Sequence, residues 1–420
     1  MNYVIIGASA AGLAAAETIR SHDRTGRITV LTDEAYLPYS RPSISYYLKG
    51  SVRESGMYLR KSAYYRQKNI EVLTNSKVTQ IDRSAKAVFC GRRKYPYDKL
   101  CIATGSKPFV PPMENIERKD NVYTFLDLAS VKKIKEAAGP ETRAVVVGAG
   151  LIGLKAAEGL SKVCKSVTVV ELADRVLSSI LDTGAAKPVK KHLEANGLTF
   201  CLEDTVVKAE SRGRKVTAVE LKSGRRLRCD LLVAAVGVRP HTELAEACGL
   251  EVARGIVTDP KTMCTSDPDI FVAGDCVSSV DMLDGQRKII ALWPNAVKQG
   301  IAAGMHMCGV QQDGEPAFSV NAIDFYGMRI STCGIVSPPD ETYTVRVQAG
   351  EGSYKRLVLH ENRLAGYILI NASENAGIYT ALIANATDLD TLCCDVMETP
   401  SLFYFDKPTR ITKLTGGVKI

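Results

Sequence analysis

The chain has 420 residues, of which 45% are hydrophobic and 24% are charged, and its formal net charge is +8. That length exceeds one ordinary core and fits two to four domains, with the composition of a globular enzyme. No apolar run reaches the roughly 18–20 residues that span a bilayer. The opening residues, MNYVIIGASAAG, have no basic segment and predict a β-strand in place of an export signal. We therefore expect a cytoplasmic protein with no membrane partner.

The twelve cysteines and five histidines are scattered along the chain, and no two cysteines form a C-x-x-C pair. This pattern indicates free thiols in a reducing compartment and predicts no metal site. Basic clusters lie at Arg92–Lys94 and Arg225–Arg228 without interleaved aromatic residues, so nucleic acid is not expected as a partner. The clusters fit either a solvated surface or a field that steers an acidic partner.

The first predicted element is a short apolar strand, Tyr3–Ile6, which a glycine-rich turn and an alanine-rich helical stretch follow. Ser9 stands where a glycine is usual, but it is small enough for a pyrophosphate to approach the backbone. The next strand, Ile28–Leu31, ends before two acids, either of which could bind a ribose. We assign this site to FAD. Its candidate residues are Gly7, Ser9, Ala10, Ala11, Gly12, Asp33 and Glu34.

The same pattern repeats after the strand Ala144–Val147, this time as a full G-x-G-x-x-G. The first glycine permits the tight turn, the second admits a pyrophosphate, and the third lets helix and strand pack closely. The following strand ends in Glu171, at the spacing of an acid that binds a ribose 2′-hydroxyl. Like charge would repel a 2′-phosphate there, which favours NADH, although the nearby Arg175 weakens that preference. The candidate residues of this NAD(H) site are Gly148, Gly150, Leu151, Ile152, Gly153, Glu171 and Arg175.

Continuous apolar strands of this kind belong to parallel sheets that are covered on both faces. The predicted fold class is therefore α/β, with two doubly wound Rossmann-type nucleotide-binding domains and a C-terminal α+β domain. Proline-bearing stretches suggest where the chain crosses between them. The predicted boundaries are 1–108 and 238–312 for the two parts of the FAD-binding domain, 109–237 for the NAD-binding domain and 313–420 for the C-terminal domain.

Five further segments carry a resemblance to a known family: Pro38–Pro42, Tyr97–Gly105, Ala235–Pro240, Asp269–Asp275 and Asn321–Gly327. They resemble the FAD-dependent pyridine nucleotide oxidoreductases, in the branch that holds NADH:rubredoxin reductases, ferredoxin reductases and the flavin domain of assimilatory nitrite reductases. The resemblance covers nearly the whole chain, and the C-terminal part resembles the interface domain of rubredoxin reductases. It is highly specific for fold and cofactor but less so for the electron acceptor.

The resemblance implies further FAD-binding residues. Asp275 matches the aspartate that hydrogen-bonds the ribityl chain, and a helix should begin near Pro294, after Trp293. If the N-terminus of that helix faces the flavin, its dipole would stabilise the anionic reduced form. The residues added to the site by these arguments are Arg41, Pro42, Ala103, Thr104, Gly105, Gly237, Asp275, Trp293, Asn295 and Ala296.

Two departures from the family pattern narrow the chemistry. Some relatives carry a redox-active cysteine just after the first βαβ unit, whereas residues 38–50 contain none, so disulfide reduction is not expected. Ferredoxin-reductase relatives often carry a lysine near the flavin N5 and a glutamate on the helix of the NAD domain; here Tyr46 and Lys155 stand at those positions. We hypothesise that Lys155 points toward the nicotinamide or flavin edge and tunes hydride transfer. The alternative is a solvated helix lysine.

The function predicted from these features is a flavoprotein oxidoreductase that passes electrons from NADH through FAD to a small acidic iron or iron–sulfur protein, rubredoxin or ferredoxin-like, in either direction. One alternative is a diaphorase or peroxide-forming NADH oxidase. Another is an NADH-responsive redox-sensing or assembly subunit. The sequence leaves open whether the chain forms a homodimer or joins a redox complex.

Overall fold

The computed structural model describes residues 1–374, 376–398 and 407–414. The helices are α1 (Ala10–His22), α2 (Ile44–Lys49), α3 (Ser62–Gln67), α4 (Leu128–Ala137), α5 (Leu151–Leu160), α6 (Thr183–Ala195), α7 (Glu243–Ala247), α8 (Trp293–Met307), α9 (Ala376–Ala384) and α10 (Lys407–Leu414). The strands in the first half of the chain are β1 (Asn2–Ile6), β2 (Arg27–Leu31), β3 (Ile70–Leu73), β4 (Gln80–Asp82), β5 (Ala87–Cys90), β6 (Arg93–Pro96), β7 (Lys99–Ile102), β8 (Ser106–Pro108), β9 (Val122–Thr124), β10 (Arg143–Val147), β11 (Ser166–Val170), β12 (Leu198–Cys201) and β13 (Val206–Arg212). Those in the second half are β14 (Lys215–Leu221), β15 (Arg226–Arg228), β16 (Leu231–Ala234), β17 (Val238–Pro240), β18 (Ile256–Val257), β19 (Ile270–Val272), β20 (Val277–Val280), β21 (Arg287–Lys288), β22 (Val320–Phe325), β23 (Met328–Gly334), β24 (Thr344–Gly350), β25 (Ser353–His360) and β26 (Arg363–Ile370).

The first nucleotide-binding domain is built on a five-stranded parallel sheet in the order β19-β7-β1-β2-β3. Its central strand pairs through Ile5 with Val30 on one side and with Cys101 on the other. These residues are buried against α1 and α8, while the opposite face of the sheet, with Val4 and Leu31, packs on the β4-β5-β6 sheet. Because both faces are covered, the strands appear in the sequence as continuous apolar runs. The edge strand β19 comes from a distant part of the chain, so the chain leaves this domain and returns to it.

The second nucleotide-binding domain repeats the arrangement with the parallel order β12-β11-β10-β16-β9. Its central strand is buried along Ala144–Val147. In both domains the central strand ends in a glycine turn and the first helix of the unit follows directly. Small antiparallel sheets accompany the two domains, β4-β5-β6 beside the first and β13-β14-β15 beside the second.

The C-terminal domain is an antiparallel sheet in the order β22-β23-β26-β25-β24, on which α9 packs. The rings of Tyr367 and Tyr379 are fully buried between sheet and helix. Two Rossmann-type domains and a C-terminal α+β domain confirm the predicted fold class, whereas the exact domain boundaries stay predictions. Within the described residues, no helix is long and apolar enough to cross a membrane.

Candidate functional site

The first glycine turn closes over the end of the first sheet. Gly7 has a φ of +109°, and a Cβ at this position would collide with the carbonyl oxygen of Ala103 at the end of β7. Gly12 stands against the carbonyl of Gly7 in the same way, so a side chain would push α1 off the strand. Gly105 also has a positive φ, of +67°, but faces open space. The turn and the end of β7 therefore form a cradle with no side chain in it.

The helix that follows this turn begins without a cap. Ser9 occupies the N-cap position of α1 in extended backbone, yet its hydroxyl makes no capping hydrogen bond, and the first turn has no acidic residue. By contrast, Asp127 and Asp182 cap α4 and α6 through bonds of 2.7 and 3.0 Å to the helix backbone. The free N–H groups of α1 suit a pyrophosphate. Ala10 and Ala11, the first two residues of α1, are buried and have small side chains, so they leave the N-terminus of the helix accessible.

A second uncapped helix, α8, starts beside the same cradle. It begins at Trp293, one residue before the predicted start, and its first turn has no acidic residue. Ala296 lies beneath the Gly274 turn, and the side-chain amide of the buried Asn295 donates to the carbonyl of Phe318 at 3.3 Å. That the N-terminus of this helix faces the flavin stays a prediction.

Asp275 follows that turn directly. Burial raises the pKa of the Asp275 carboxyl above its ordinary value, and the Ser106 hydroxyl and the Arg41 guanidinium oppose the rise. Ser106 donates to the carboxylate at 3.3 Å. A half-buried carboxylate with so few protein partners is an acceptor available for the hydroxyls of a ribityl chain.

The two acids predicted to bind the ribose differ in their surroundings. Asp33 is exposed, whereas Glu34 accepts hydrogen bonds from the Tyr39 hydroxyl at 2.6 Å and from Arg41. Arg41 also donates to the carbonyl of Leu126 at 3.2 Å, which ties the Arg41–Pro42 loop to the segment before α4. Which of the two acids binds a ribose stays a prediction.

The second glycine turn repeats the geometry of the first. Gly148 has a φ of +107° and faces the carbonyl of Ala235, while Gly153 stands against the carbonyl of Gly148. A Cβ on Gly150 would meet nothing within 4 Å, so the space above the N-terminus of α5 is open, and this helix also lacks a capping side chain and an acid in its first turn. Gly237 has a φ of +131° on the return crossing.

The acid after β11 belongs to this second turn. Glu171 accepts backbone N–H bonds from Ala149 at 2.6 Å and from Ala173 at 2.8 Å, which places its carboxylate at the glycine turn. Arg175, the residue that could have accommodated a 2′-phosphate, is instead held by Asp174 at 2.7 Å and by the carbonyl of Leu181 at 3.1 Å. The charge at the predicted ribose position is therefore negative.

Exposed apolar side chains surround the second turn. Leu172, directly after Glu171, is 65% exposed. Ile152 at the start of α5 and Val236 just after β16 are each 37% exposed. Large apolar side chains with this exposure, close to precisely placed polar groups, are typical of a ligand surface. Together with the uncapped helix and the open space over Gly150, they fit the rings of a nicotinamide dinucleotide.

The residues present therefore fit both cofactors. The Gly7 turn, α1 and α8 would hold FAD with Asp275, and the Gly148 turn, α5 and Glu171 would hold NAD(H). Neither site contains a cysteine in its turn, and all twelve cysteines are free thiols. Among the described residues, no group of three or more His, Cys, Asp or Glu side chains could hold a metal ion.

The two predicted catalytic residues lie close to each other. The Lys155 ammonium on α5 lies 5.6 Å from the centroid of the Tyr46 ring on α2, and 4.8 Å from that of Phe325 in the C-terminal domain. It donates to Glu158 at 2.8 Å and to the carbonyl of Asp324. The Tyr46 ring is 43% exposed. Lys155 is therefore neither a solvated helix lysine nor free to move, while a direct role in hydride transfer stays a prediction.

Sequence reasoning missed the carboxylate at the centre of this arrangement. Glu158 is 2% exposed and also pairs with Lys49 of α2 at 2.9 Å. The signal available in the sequence was a lone acid among Ala156, Ala157, Gly159 and Leu160, because a charge in a buried stretch needs a partner.

The basic clusters differ in how they are used. Arg226 makes a bidentate ion pair with Glu210, both bonds at 2.6 Å, and Arg225 contacts the Cys201 sulfur at 3.3 Å. The cluster Arg92–Lys94 lies exposed at the β5–β6 hairpin. Among the described residues, the Arg92–Lys94 cluster makes no ion pair, so its cations are available to a partner.

Comparison with known families gives two matches. Residues 1–300 match the family described as pyridine nucleotide-disulphide oxidoreductase, and residues 320–387 match the rubredoxin NAD+ reductase C-terminal domain. A putidaredoxin reductase, solved in covalent complex with putidaredoxin, has a TM-score of 0.86 and 27% identity, covering 99% of this chain and 98% of that one.

Curated relatives span several activities. The chain is 32% identical to an NADH oxidase of Methanocaldococcus jannaschii, over 80% of this chain and 77% of the relative. It is 30% identical to subunit epsilon of the NADH-dependent phenylglyoxylate dehydrogenase of Aromatoleum evansii, over 93% of each. It is 32% identical to a rubredoxin-NAD(+) reductase of Pseudomonas putida, over 74% of this chain and 80% of the relative. Two Bacillus subtilis relatives, a nitrite reductase and an assimilatory nitrate reductase electron transfer subunit, are longer, and the chain spans 47% of each.

Proposed function

The chain belongs to the pyridine nucleotide-disulphide oxidoreductase family, and we propose that it passes electrons from NADH through FAD to a small acidic iron protein of the rubredoxin or ferredoxin type. The observation that carries the acceptor class is the match of residues 320–387 to the rubredoxin reductase C-terminal domain. The putidaredoxin reductase structure supports the same class. A net charge of +8 suits an acidic partner.

When bound, FAD supplies the redox chemistry, because it accepts hydride from a nicotinamide and gives up electrons singly. The chain supplies binding and alignment, which hydride transfer requires more than acid–base catalysis. The uncapped starts of α1 and α5 would bind the two pyrophosphates, and Glu171 would accept a hydrogen bond from the ribose 2′-hydroxyl of NADH. Asp275 would accept hydrogen bonds from the ribityl hydroxyls, and the positive end of the α8 dipole would stabilise the reduced flavin.

We propose Tyr46 and Lys155 as the residues closest to the reacting rings. Tyr46 is exposed on α2, and the Lys155 ammonium lies 5.6 Å from the centroid of its ring, within reach of a cation–π interaction. In this proposal Lys155 acts through Tyr46 as a positioning residue. Lys155→Ala should slow reduction of the bound FAD by NADH without changing FAD content, and unchanged reduction kinetics would remove both residues from the proposal.

An anaerobic titration of the FAD-loaded protein with NADH, followed by visible absorption, tests the proposed function. Bleaching that is complete at one equivalent is expected, because the chain has one flavin site and no cysteine in residues 38–50. A requirement for two equivalents would reveal a second redox centre and contradict the proposal. Absence of bleaching would contradict NADH as the electron donor.

Two relatives favour a second candidate. The M. jannaschii relative is named an NADH oxidase, which supports dioxygen as an acceptor, and the A. evansii relative is a subunit of a dehydrogenase, which supports assembly into a larger complex. Oxygen consumption and peroxide formation under NADH separate the oxidase from the main proposal. Fast turnover in air without a protein acceptor would favour the oxidase. We also propose that the protein works in the cytoplasm, which its twelve free thiols support.

A further inference from the structure

Glu158 is the meeting point of three domains. Its carboxylate accepts from Lys155 of its own helix at 2.8 Å, from Lys49 of α2 in the first nucleotide-binding domain at 2.9 Å, and from the backbone N–H of Tyr326 in the C-terminal domain at 3.2 Å. It is 2% exposed. Burial alone would raise the pKa of the Glu158 carboxyl, but the two lysines outweigh burial and the pKa lies below its ordinary value. The buried carboxylate is therefore ionised and fully partnered.

The surroundings of Glu158 bring the same elements together. The next residue, Gly159, lies so close to Leu48 of α2 that a Cβ would stand 2.8 Å from the leucine side chain. Phe325, at the β22–β23 hairpin, is fully buried in the cluster that contains Leu48 and Leu154. The hydroxyl of Tyr326 lies 2.7 Å from that of Ser161 on the segment after α5. The helix α5, which starts at the NAD turn, is thus fixed to α2 and to the hairpin at one point.

We infer that Glu158 is a positioning residue for hydride transfer, because it sets α5 against α2 and so aligns the NADH site with the FAD site through Lys155 and Tyr46. This inference rests on the proposed function. It also assigns the β22–β23 hairpin a part in the reaction, since the hairpin supplies the third contact of the carboxylate. In the absence of the negative charge, the Lys49 and Lys155 ammonium groups would repel each other across the interface.

Glu158→Gln tests this inference, because glutamine keeps the shape and loses the charge. In stopped-flow mixing with NADH, the limiting rate constant of FAD reduction should fall roughly 10- to 100-fold, the effect expected of a misplacement of about 1 Å. The dissociation constant of NAD⁺, measured by calorimetry, should stay within about threefold, since α5 and Glu171 are intact. Hydrogen exchange should quicken in residues 44–49 and 323–328, which is a readout independent of turnover.

Asp182→Asn is the matched control. Asp182 also links the second nucleotide-binding domain to the C-terminal domain, through the Tyr354 hydroxyl at 2.8 Å and Arg356 at 3.1 Å, but at the start of α6. Asparagine still caps that helix. The limiting rate constant should stay within about twofold of the wild type, because only the α5–α2 alignment is proposed to control the reaction.

The two variants distinguish a specific role of Glu158 from a general effect of losing an interdomain contact. An equal loss of rate in the two variants, or Glu158→Gln within about twofold of wild type, would overturn the inference. If Glu158→Gln fails to bind FAD, Lys49→Met replaces it and should slow reduction in the same direction while leaving the Lys155–Glu158 pair. Wild-type flavin that NADH does not reduce would refute the proposed function and, with it, the role of Glu158 in hydride transfer. Unchanged exchange in residues 44–49 and 323–328, in a protein whose flavin NADH does reduce, would refute only the inference that Glu158 fixes α5 against α2 and the hairpin.

Discussion

We propose that Glu171 determines which nicotinamide dinucleotide the second turn accepts. Its carboxylate is fixed by two backbone N–H groups, so a 2′-phosphate would meet a negative charge that cannot turn away. We expect the wild type to prefer NADH over NADPH by roughly 10-fold or more in kcat/KM, since 1.4 kcal/mol corresponds to tenfold. Glu171→Ser should lower the ratio of kcat/KM for NADH to kcat/KM for NADPH, mainly by raising kcat/KM for NADPH. Steady-state kinetics with both dinucleotides measure this ratio.

Arg175 provides the control for that measurement. Its guanidinium is occupied by Asp174 and by the carbonyls of Leu181 and Ser178. Arg175→Gln should therefore leave the NADH to NADPH ratio unchanged. A loss of NADPH use in Arg175→Gln would show that the arginine reaches a 2′-phosphate and would contradict the predicted role of Glu171.

The charge of Asp275 should destabilise the protein without FAD but strengthen the binding of FAD. Burial raises its pKa, so below the unfolded value of about 4 the carboxyl is neutral in both states and costs nothing. As the pH rises through the raised folded value, the apoprotein must ionise a half-buried group and loses stability. In Asp275→Asn, the melting temperature of the apoprotein should no longer fall for this reason as the pH rises above about 4.

The same variant should bind FAD less tightly, because the amide is a weaker acceptor for the ribityl hydroxyls. We expect the dissociation constant of FAD to rise roughly 10-fold, as for the loss of one charge-assisted hydrogen bond. Trp293 is the only tryptophan and begins the helix beside this residue, so quenching of its fluorescence reports FAD binding. Unchanged affinity would mean that the ribityl chain lies elsewhere.

At the scale of elements, the contact between α1 and α8 keeps two uncapped helix starts beside the Gly7 turn, where we propose that FAD binds. Gly300 of α8 lies directly against the carbonyl of Ala11, and Gly304 would place a Cβ 2.8 Å from the carbonyl of Ala15. Gly300→Ala should force the helices apart and lower the free energy of unfolding by about 1–3 kcal/mol, the usual cost of overpacking. The amount of FAD that Gly300→Ala retains after gel filtration should also fall.

Gly377→Ala is the matched substitution in another helix. A Cβ on Gly377 of α9 would meet nothing within 4 Å. Alanine should therefore be neutral there or stabilise by up to about 1 kcal/mol through helix propensity, with unchanged FAD content. Equal losses in Gly300→Ala and Gly377→Ala would show that the glycine itself, and not the helix contact, matters. Urea unfolding of the two variants provides the comparison.

The parts of the site that were predictable from the sequence are those built from one short segment. The Gly7 and Gly148 turns each combine strand, turn and helix within a few residues, so the pattern fixes both the fold and the cradle. The Lys49–Glu158 pair joins residues 109 apart, and it exists only because two domains dock through α2 and α5. The sequence therefore predicted the two glycine turns and the helices that follow them, but not which charges hold the domains in alignment.

For the whole molecule, docking and catalysis should respond differently to salt. The net charge is +8, and the cations of the Arg92–Lys94 cluster are exposed, so an acidic iron protein should be attracted from a distance. Raising ionic strength from 0.01 to 0.15 M shortens the Debye length from about 30 to about 8 Å. The second-order rate constant for reduction of rubredoxin or an acidic ferredoxin should fall roughly 10-fold or more over that range.

Two reactions serve as controls. The limiting rate of FAD reduction by saturating NADH is set within the flavoprotein–NADH complex, so added salt should change it little. The rate of reduction of an uncharged quinone should also change little. A salt-independent rate with the iron protein would remove electrostatic docking from the proposed function, whereas an equal decline with the quinone would place the effect inside the flavoprotein.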